Sequence, residues 1–259
     1  MIHTVLITGA SSGFGFEFAK IFAAKGYNLV LCARSEEKLQ KLAKALKKKY
    51  QIQALVFRQD LASPDGAKAL FDFTEEAGCE VEILINNAGF GDYGKFAGSD
   101  LAKQEQMINL NVRTLTSLTH LYLPAMISRG YGRILNVASI ASFLPGPMMS
   151  VYYATKAYVL SFTESISCEL QGTGVTVTAL CPGPTDTGFT KLAEMPQNGR
   201  FADAFRFTKP VDVARYGVKA LMKGQVIAVP GGLNKIGATA GRLAPKKVVR
   251  NIVYKFQQE

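Results

Sequence analysis

The sequence predicts an α/β fold: a single doubly wound domain in which a seven-stranded parallel sheet carries helices on both faces. Three observations carry this. Short apolar runs alternate with amphipathic stretches along the whole chain, with no internal repeat and no low-complexity linker. Several of those runs are continuously apolar, which is the pattern of parallel strands covered on both sides. The chain has 259 residues, 48% hydrophobic and 19% charged, enough for a substantial core.

The elements follow in order. Residues 2–8 are a β-branched run that stops at a glycine-rich turn. Residues 14–25 carry apolar side chains at helical spacing and end at Gly26, a favourable C-terminal cap. Residues 28–33 are a second buried strand, and 36–49 a helix with Glu37 and Lys41 paired one turn apart. A strand at 52–58 leads to Ser63-Pro64-Asp65, which reads as an N-cap, a first-turn proline and an acid favoured by the helix dipole. Strands at 81–85, 133–138, 175–180 and 226–229 then alternate with helices at 101–127, 150–171 and 211–223.

Composition excludes several classes. A disordered or collagen-like chain is ruled out by the apolar content and the lack of a glycine period. No apolar run approaches the roughly 18 residues that span a bilayer. The first seven residues lack a basic leader and a cleavage site, so no signal peptide is expected. The four cysteines (Cys32, Cys79, Cys168, Cys181) are scattered, which predicts buried, reduced thiols in a cytoplasmic protein. Of the net charge of +10, residues 210–259 supply +7, from nine basic and two acidic side chains. No DNA-reading motif or aromatic-interleaved basic stripe accompanies them, so nucleic acid is not an expected partner.

The first strand runs directly into Thr8-Gly9-Ala10-Ser11-Ser12-Gly13-Phe14-Gly15, and a helix follows. Glycines there permit a tight turn and close backbone approach, so a pyrophosphate can rest on the helix N-terminus. The spacing is Gly-x-x-x-Gly-x-Gly. With Thr8 before it and Asn86-Asn87-Ala88-Gly89 after the fourth strand, the chain resembles the short-chain dehydrogenase/reductase family along nearly its whole length. The resemblance implies a Rossmann-type sheet of order 3-2-1-4-5-6-7 and a nicotinamide cofactor held by Gly9, Ser11, Ser12, Gly13, Phe14 and Gly15. It adds Asn87, Ala88 and Gly89 lining the adenosine side, Asp60 and Leu61 at the adenine, and Pro182-Gly183 with Thr185 or Thr187 beside the nicotinamide.

Sites for NAD usually place an acid about 20 residues past the turn, where it binds the ribose hydroxyls. Here that position holds Ala33, and Arg34 follows, a planar cation suited to a 2′-phosphate, with Ser35 beside it. NADP(H) is therefore the expected cofactor.

Tyr152 and Lys156 stand four residues apart in a predicted helix, on one face and one turn apart. A tyrosine near its usual pKa of about 10 is a poor acid–base group at neutrality, and a neighbouring ammonium favours its phenolate. The pair matches the family's active-site signature. Ser139, 13 residues before Tyr152 at a strand end, is placed to hold a substrate oxygen, with Ser142 as its rival. Tyr153 competes with Tyr152 but breaks the spacing. Of Asn109 and Asn111, the resemblance selects Asn111, to hold a water against Lys156. The catalytic set is then Asn111, Ser139, Tyr152 and Lys156, together with NADP(H) and no metal.

Two loops rich in large apolar groups flank this set. Residues 140–151 hold Phe143, Leu144, Met148 and Met149, and a lid at about 185–209 holds Phe189, Met195, Phe201, Phe205 and Phe207. As walls they imply an apolar carbonyl substrate met by Ser139, Phe143, Met149 and Tyr152. They serve equally well as a packing surface for a partner subunit. Within the basic segment at about 233–259, residues 246–256 carry apolar side chains at helical spacing with basic ones around them; covering a core or an interface is their favoured reading, and contact with an anionic membrane a lesser one. The resemblance implies a homodimer or homotetramer. The expected activity is NADPH-dependent interconversion of a carbonyl and a secondary alcohol. The alternatives are a 3-oxoacyl-thioester reductase or a non-catalytic NADP(H)-binding sensor or scaffold.

Overall fold

The computed structural model describes residues 3–189, 193–195 and 208–258. Seven strands, β1 (Thr4–Thr8), β2 (Asn28–Ala33), β3 (Ala54–Arg58), β4 (Val81–Asn86), β5 (Gly132–Val137), β6 (Val175–Leu180) and β7 (Ile227–Ala228), form one sheet. Its order is β3-β2-β1-β4-β5-β6-β7, with every pairing parallel, as the resemblance implies. Strand side chains alternate between faces, and the two faces build separate cores. Val5 and Ile7 join Phe18, Phe22, Leu39 and Leu221 from α1 (Gly13–Ala24), α2 (Glu36–Tyr50) and a late helix, Pro210–Met222. Leu6 and Leu84 join Leu70, Leu118, Tyr122 and Met126 on the other side, from α3 (Gly66–Glu76) and the helix Leu115–Ser128.

β1 lies centrally, with β2 on one side and β4 on the other. The connections leave these strands in opposite directions, so a crevice opens beyond their C-terminal ends. The glycine turn after Thr8 and the Asn87 turn after Asn86 border that crevice, as do the segments that follow β5 and β6.

Four features differ from the sequence expectation. Ser63 does not cap α3: its Oγ donates to Asp60 O at 2.7 Å, and the helix begins three residues later behind Asp65. The helix expected at 101–127 is divided into α4 (Leu101–Ile108), a π-helical turn (Asn109–Thr114) and α5 (Leu115–Ser128). After α6 (Ser150–Glu169) and α7 (Pro210–Met222), the basic C-terminal segment forms two helices, α8 (Gly232–Leu243) and α9 (Lys246–Gln258). All four cysteines are free, but only Cys32 and Cys181 are buried; Cys79 is half-buried and Cys168 exposed. Among the described residues no helix is long and apolar enough to cross a membrane.

Candidate active site

A cavity of about 700 Å³ occupies the crevice. One end is built by the glycine turn, which is fixed from beneath. Thr8 Oγ1 accepts from the backbone N–H of Asn87 and Ala88, each at 3.0 Å, and donates to Ile85 O at 3.2 Å. Asn87 Nδ2 returns bonds to Thr8 O at 2.8 Å and Gly9 O at 3.2 Å. Gly9 and Gly13 hold φ of +66° and +54°, the left-handed region that glycine enters without strain. Ser12 precedes α1 in extended conformation and makes no side-chain cap, so the first N–H groups of the helix are left for a ligand.

Gly9, Ser11, Ser12, Gly13 and Phe14 line this end. Gly15 lies behind them, and a Cβ there would stand 2.3 Å from Gly9 O. Gly15→Ala is therefore expected to cost about 1–3 kcal/mol of stability by overpacking. It should also weaken nicotinamide-dinucleotide binding; thermal unfolding and a cofactor titration check both.

The end of β2 brings Arg34 and Ser35 to the rim, with Asp60, Leu61, Ala88 and Gly89 opposite. Asp60 is held by accepting from Ala62 N at 3.0 Å. Lys38 and Gln59 also reach this end and were not anticipated. Lys38 carried no signal in the chain, because the first turn of α2 already holds Glu36 and Glu37 beside it. Cradle, open helix end and paired cations fit a phosphorylated dinucleotide.

At the other end β5 and α6 supply Ser139, Tyr152 and Lys156. Ser139 follows β5 and caps a short 3-10 turn, its Oγ accepting from Ala141 N at 3.1 Å. The Ser139 side chain lies next to the Tyr152 hydroxyl. Lys156, one turn along α6, is buried; its Nζ donates to Val137 O at 2.7 Å and lies 5.8 Å from the centre of the Tyr152 ring. Burial governs both groups, which departs from the expected pull of the ammonium on the phenol. It pushes the Tyr152 hydroxyl well above its usual range, against the opposing effect of the Ser139 side chain, and brings Lys156 down to about 8.

Ser142 is turned away, its Oγ donating to Lys156 O at 2.7 Å, and does not line the cavity. Asn111 sits in the π-helical turn, a distortion frequent at functional sites. Its Nδ2 donates to Phe90 O at 2.9 Å and Thr155 Oγ1 at 3.1 Å, and its Oδ1 accepts from Phe90 N at 3.2 Å. Both amide hydrogens are thus spent on a clamp between the loop after β4 and α6. Gly89 packs into the same corner, where a Cβ would stand 2.8 Å from Asn111 Oδ1.

Beyond Tyr152 the wall is apolar: Ile140, Leu144, Met149, Tyr153, Phe189 and Met195. The Phe189 ring tilts 5.2 Å from that of Tyr152, a contact Gly91 permits, since a Cβ on Gly91 would stand 2.6 Å from Phe189. Phe143 is not on this wall. Its ring packs outward under the Arg242 guanidinium at 5.0 Å, and Leu144, next in the chain, takes the cavity side. Pro182, Gly183, Thr185 and Thr187 all border the cavity, with Thr187 packed against the glycine turn at Gly13. Phe201, Phe205 and Phe207 lie outside the described residues. The wall is closed by Ile252 and Val253 of α9.

Comparison with known proteins agrees with this geometry. The family model described as short chain dehydrogenase matches residues 3–197. Sulfoacetaldehyde reductase 2 of Chromohalobacter salexigens is 38% identical over 213 residues, 82% of this chain and 84% of that protein. A short-chain dehydrogenase from Sphingobium yanoikuyae, solved in complex with NADPH, superposes with a TM-score of 0.83 at 30% identity, covering 93% of each chain. A 7β-hydroxysteroid dehydrogenase structure gives 0.87 at 29% identity, over 97% of this chain and 96% of that one. With the sheet order, the glycine turn and the Ser139–Tyr152–Lys156 set, these matches make the chain a member of the short-chain dehydrogenase/reductase family, an oxidoreductase that works between carbonyl and alcohol with a nicotinamide cofactor.

Proposed function

We propose that the protein is an NADPH-dependent reductase of apolar ketones or aldehydes. The observation that carries this is one continuous cavity with Arg34 and Lys38 at one end and the neighbouring Ser139 and Tyr152 side chains at the other. The cofactor, when bound, supplies the hydride. Ser139 and Tyr152 converge on one point, so a carbonyl oxygen there receives two hydrogen bonds, and the charge that develops on it is stabilised. Tyr152 gives the proton, and Lys156, as a cation behind the ring, stabilises the phenolate left behind. Asn111 keeps α6 in register with the loop after β4.

Arg34 is the basis for NADPH over NADH. Arg34→Ala is expected to raise the Kd for NADPH about 10–100-fold, the worth of a charge-assisted bond, and to leave NADH nearly unchanged. Paired binding titrations check it. The apolar substrate rests on the wall around Tyr152. Among the described cavity residues the cations are Arg34, Lys38 and Lys156, so none of the described side chains on that wall offers a cation to a sulfonate such as the one named for the Chromohalobacter relative. A steroid-like or long-chain ketone suits it better. For assembly, the exposed Tyr158, stacked on Phe162 and bonded to Thr116 Oγ1 at 3.0 Å, offers the α5–α6 face to a second subunit.

A further inference from the structure

Helix α8 turns its large apolar side chains away from the protein. Leu233, Ile236 and Leu243 are 86%, 67% and 81% exposed, and their spacing sets them in one stripe. The opposite stripe, Asn234, Ala238 and Gly241, meets the body of the fold. Asn234 Nδ2 donates to Pro230 O at 2.7 Å, Ala238 is buried, and a Cβ on Gly241 would stand 2.5 Å from Leu144. Helix α9 follows after a proline turn, burying Val249 and carrying Ile252 and Val253 to the cavity wall. From residue 232 to residue 255 the two helices hold Lys235, Arg242, Lys246, Lys247, Arg250 and Lys255 and no acid. Arg242 is paired with Glu164 at 3.1 Å. The other five side chains are exposed.

We propose that the α8–α9 pair docks the protein on an anionic lipid surface. Leu233, Ile236 and Leu243 enter the acyl boundary, and the lysines and Arg250 meet the headgroups. A helix pair with an exposed apolar stripe, five exposed cations and no acid between residues 232 and 255 matches an interfacial element, which lies on a bilayer without crossing it. A second copy of the chain is a poorer occupant, because a two-fold contact through this face sets an all-cationic surface against itself. Docking there places Ile252 and Val253 between the lipid and Tyr152, so a carbonyl dissolved in the bilayer enters the cavity past them. This delivery role rests on the apolar-substrate reading above; the docking does not.

The test is flotation of the full chain with phosphatidylcholine vesicles, with and without phosphatidylglycerol. Binding is expected to be about tenfold or more stronger on the anionic vesicles and to be lost in high salt. It should fall about tenfold in Lys246→Glu/Lys247→Glu/Arg250→Glu, and separately in Leu233→Ser/Ile236→Ser. NADPH binding and thermal unfolding should be unchanged in both, since none of these residues lines the cavity. Equal or absent binding to the two vesicle types overturns the proposal. So does a dimer, seen by sedimentation, that Leu233→Ser/Ile236→Ser dissociates while vesicles are ignored, or capture by polyglutamate in place of lipid. Turnover of water-soluble ketones without vesicle binding keeps the reductase and discards the docking. Vesicle binding without turnover of any carbonyl does the opposite.

Discussion

Tyr152→Phe is expected to lower kcat for carbonyl reduction by about two to four orders of magnitude, the contribution of a positioned acid–base group. The substitution removes one oxygen and leaves the ring that packs against Phe189 at 5.2 Å. NADPH affinity should therefore hold. Stability should change by about 1 kcal/mol or less, because Tyr152 is half-buried on the cavity wall. Tyr153→Phe, one residue along, is the control and should retain most of the rate. Steady-state kinetics with a cofactor titration on the same samples checks all three statements. An equal loss in both variants would take the acid role away from Tyr152.

Lys156→Met separates stability from activity. Lys156 is buried and its pKa is brought down to about 8, against 10.5 for the free side chain. The sign follows from proton counting. Below about pH 8 both folded and unfolded chains hold the proton, and the cost of burying the charge is felt in full. Between about 8 and 10.5 the unfolded chain binds more protons, so stability rises with pH, and above that the cost is gone.

At neutral pH the cost is on the order of 3 kcal/mol. Removing the amine also strips Val137 O of its donor, at about 1 kcal/mol. The methionine variant should thus unfold a few degrees higher at pH 7 and lose that advantage above pH 10. Its turnover should fall about a hundredfold or more. In the parent enzyme, kcat/KM for NADPH should stay level below about pH 8 and fall above it as the cation is lost, a break that the variant lacks.

Much of this site is legible in the chain because its parts are local. The glycine turn needs Gly9 and Gly13 where φ is positive, and Tyr152 and Lys156 share a helix face through their spacing alone. The continuously apolar strands announce a parallel sheet covered on both sides. What the sequence conceals depends on packing between distant segments. A single π-helical turn at Asn109–Thr114 leaves no mark on apolar periodicity, yet it sets the Asn111 amide between Phe90 and Thr155. Phe143 and Leu144 are adjacent apolar residues in one loop, and packing against distant segments, Phe143 with Arg242 among them, sets Leu144 rather than Phe143 on the cavity side. Helix α8 is hidden by Gly232, Gly237 and Gly241, weak helix formers, and by an apolar stripe that points outward. The effect of burial on Lys156 is likewise absent from the Tyr-x-x-x-Lys spacing, because it comes from the surroundings.

The most direct test of the account is NADPH consumption by the purified protein, run beside NADH. The panel holds long-chain ketones, a steroid ketone, an aromatic aldehyde, a 3-oxoacyl thioester and sulfoacetaldehyde. The account predicts turnover of an apolar ketone or aldehyde that prefers NADPH, requires Tyr152 and leaves sulfoacetaldehyde untouched. A preference for NADH, or turnover confined to the sulfonated aldehyde, would contradict it, and tight NADPH binding with no turnover of any carbonyl would turn the protein from an enzyme into a cofactor sensor.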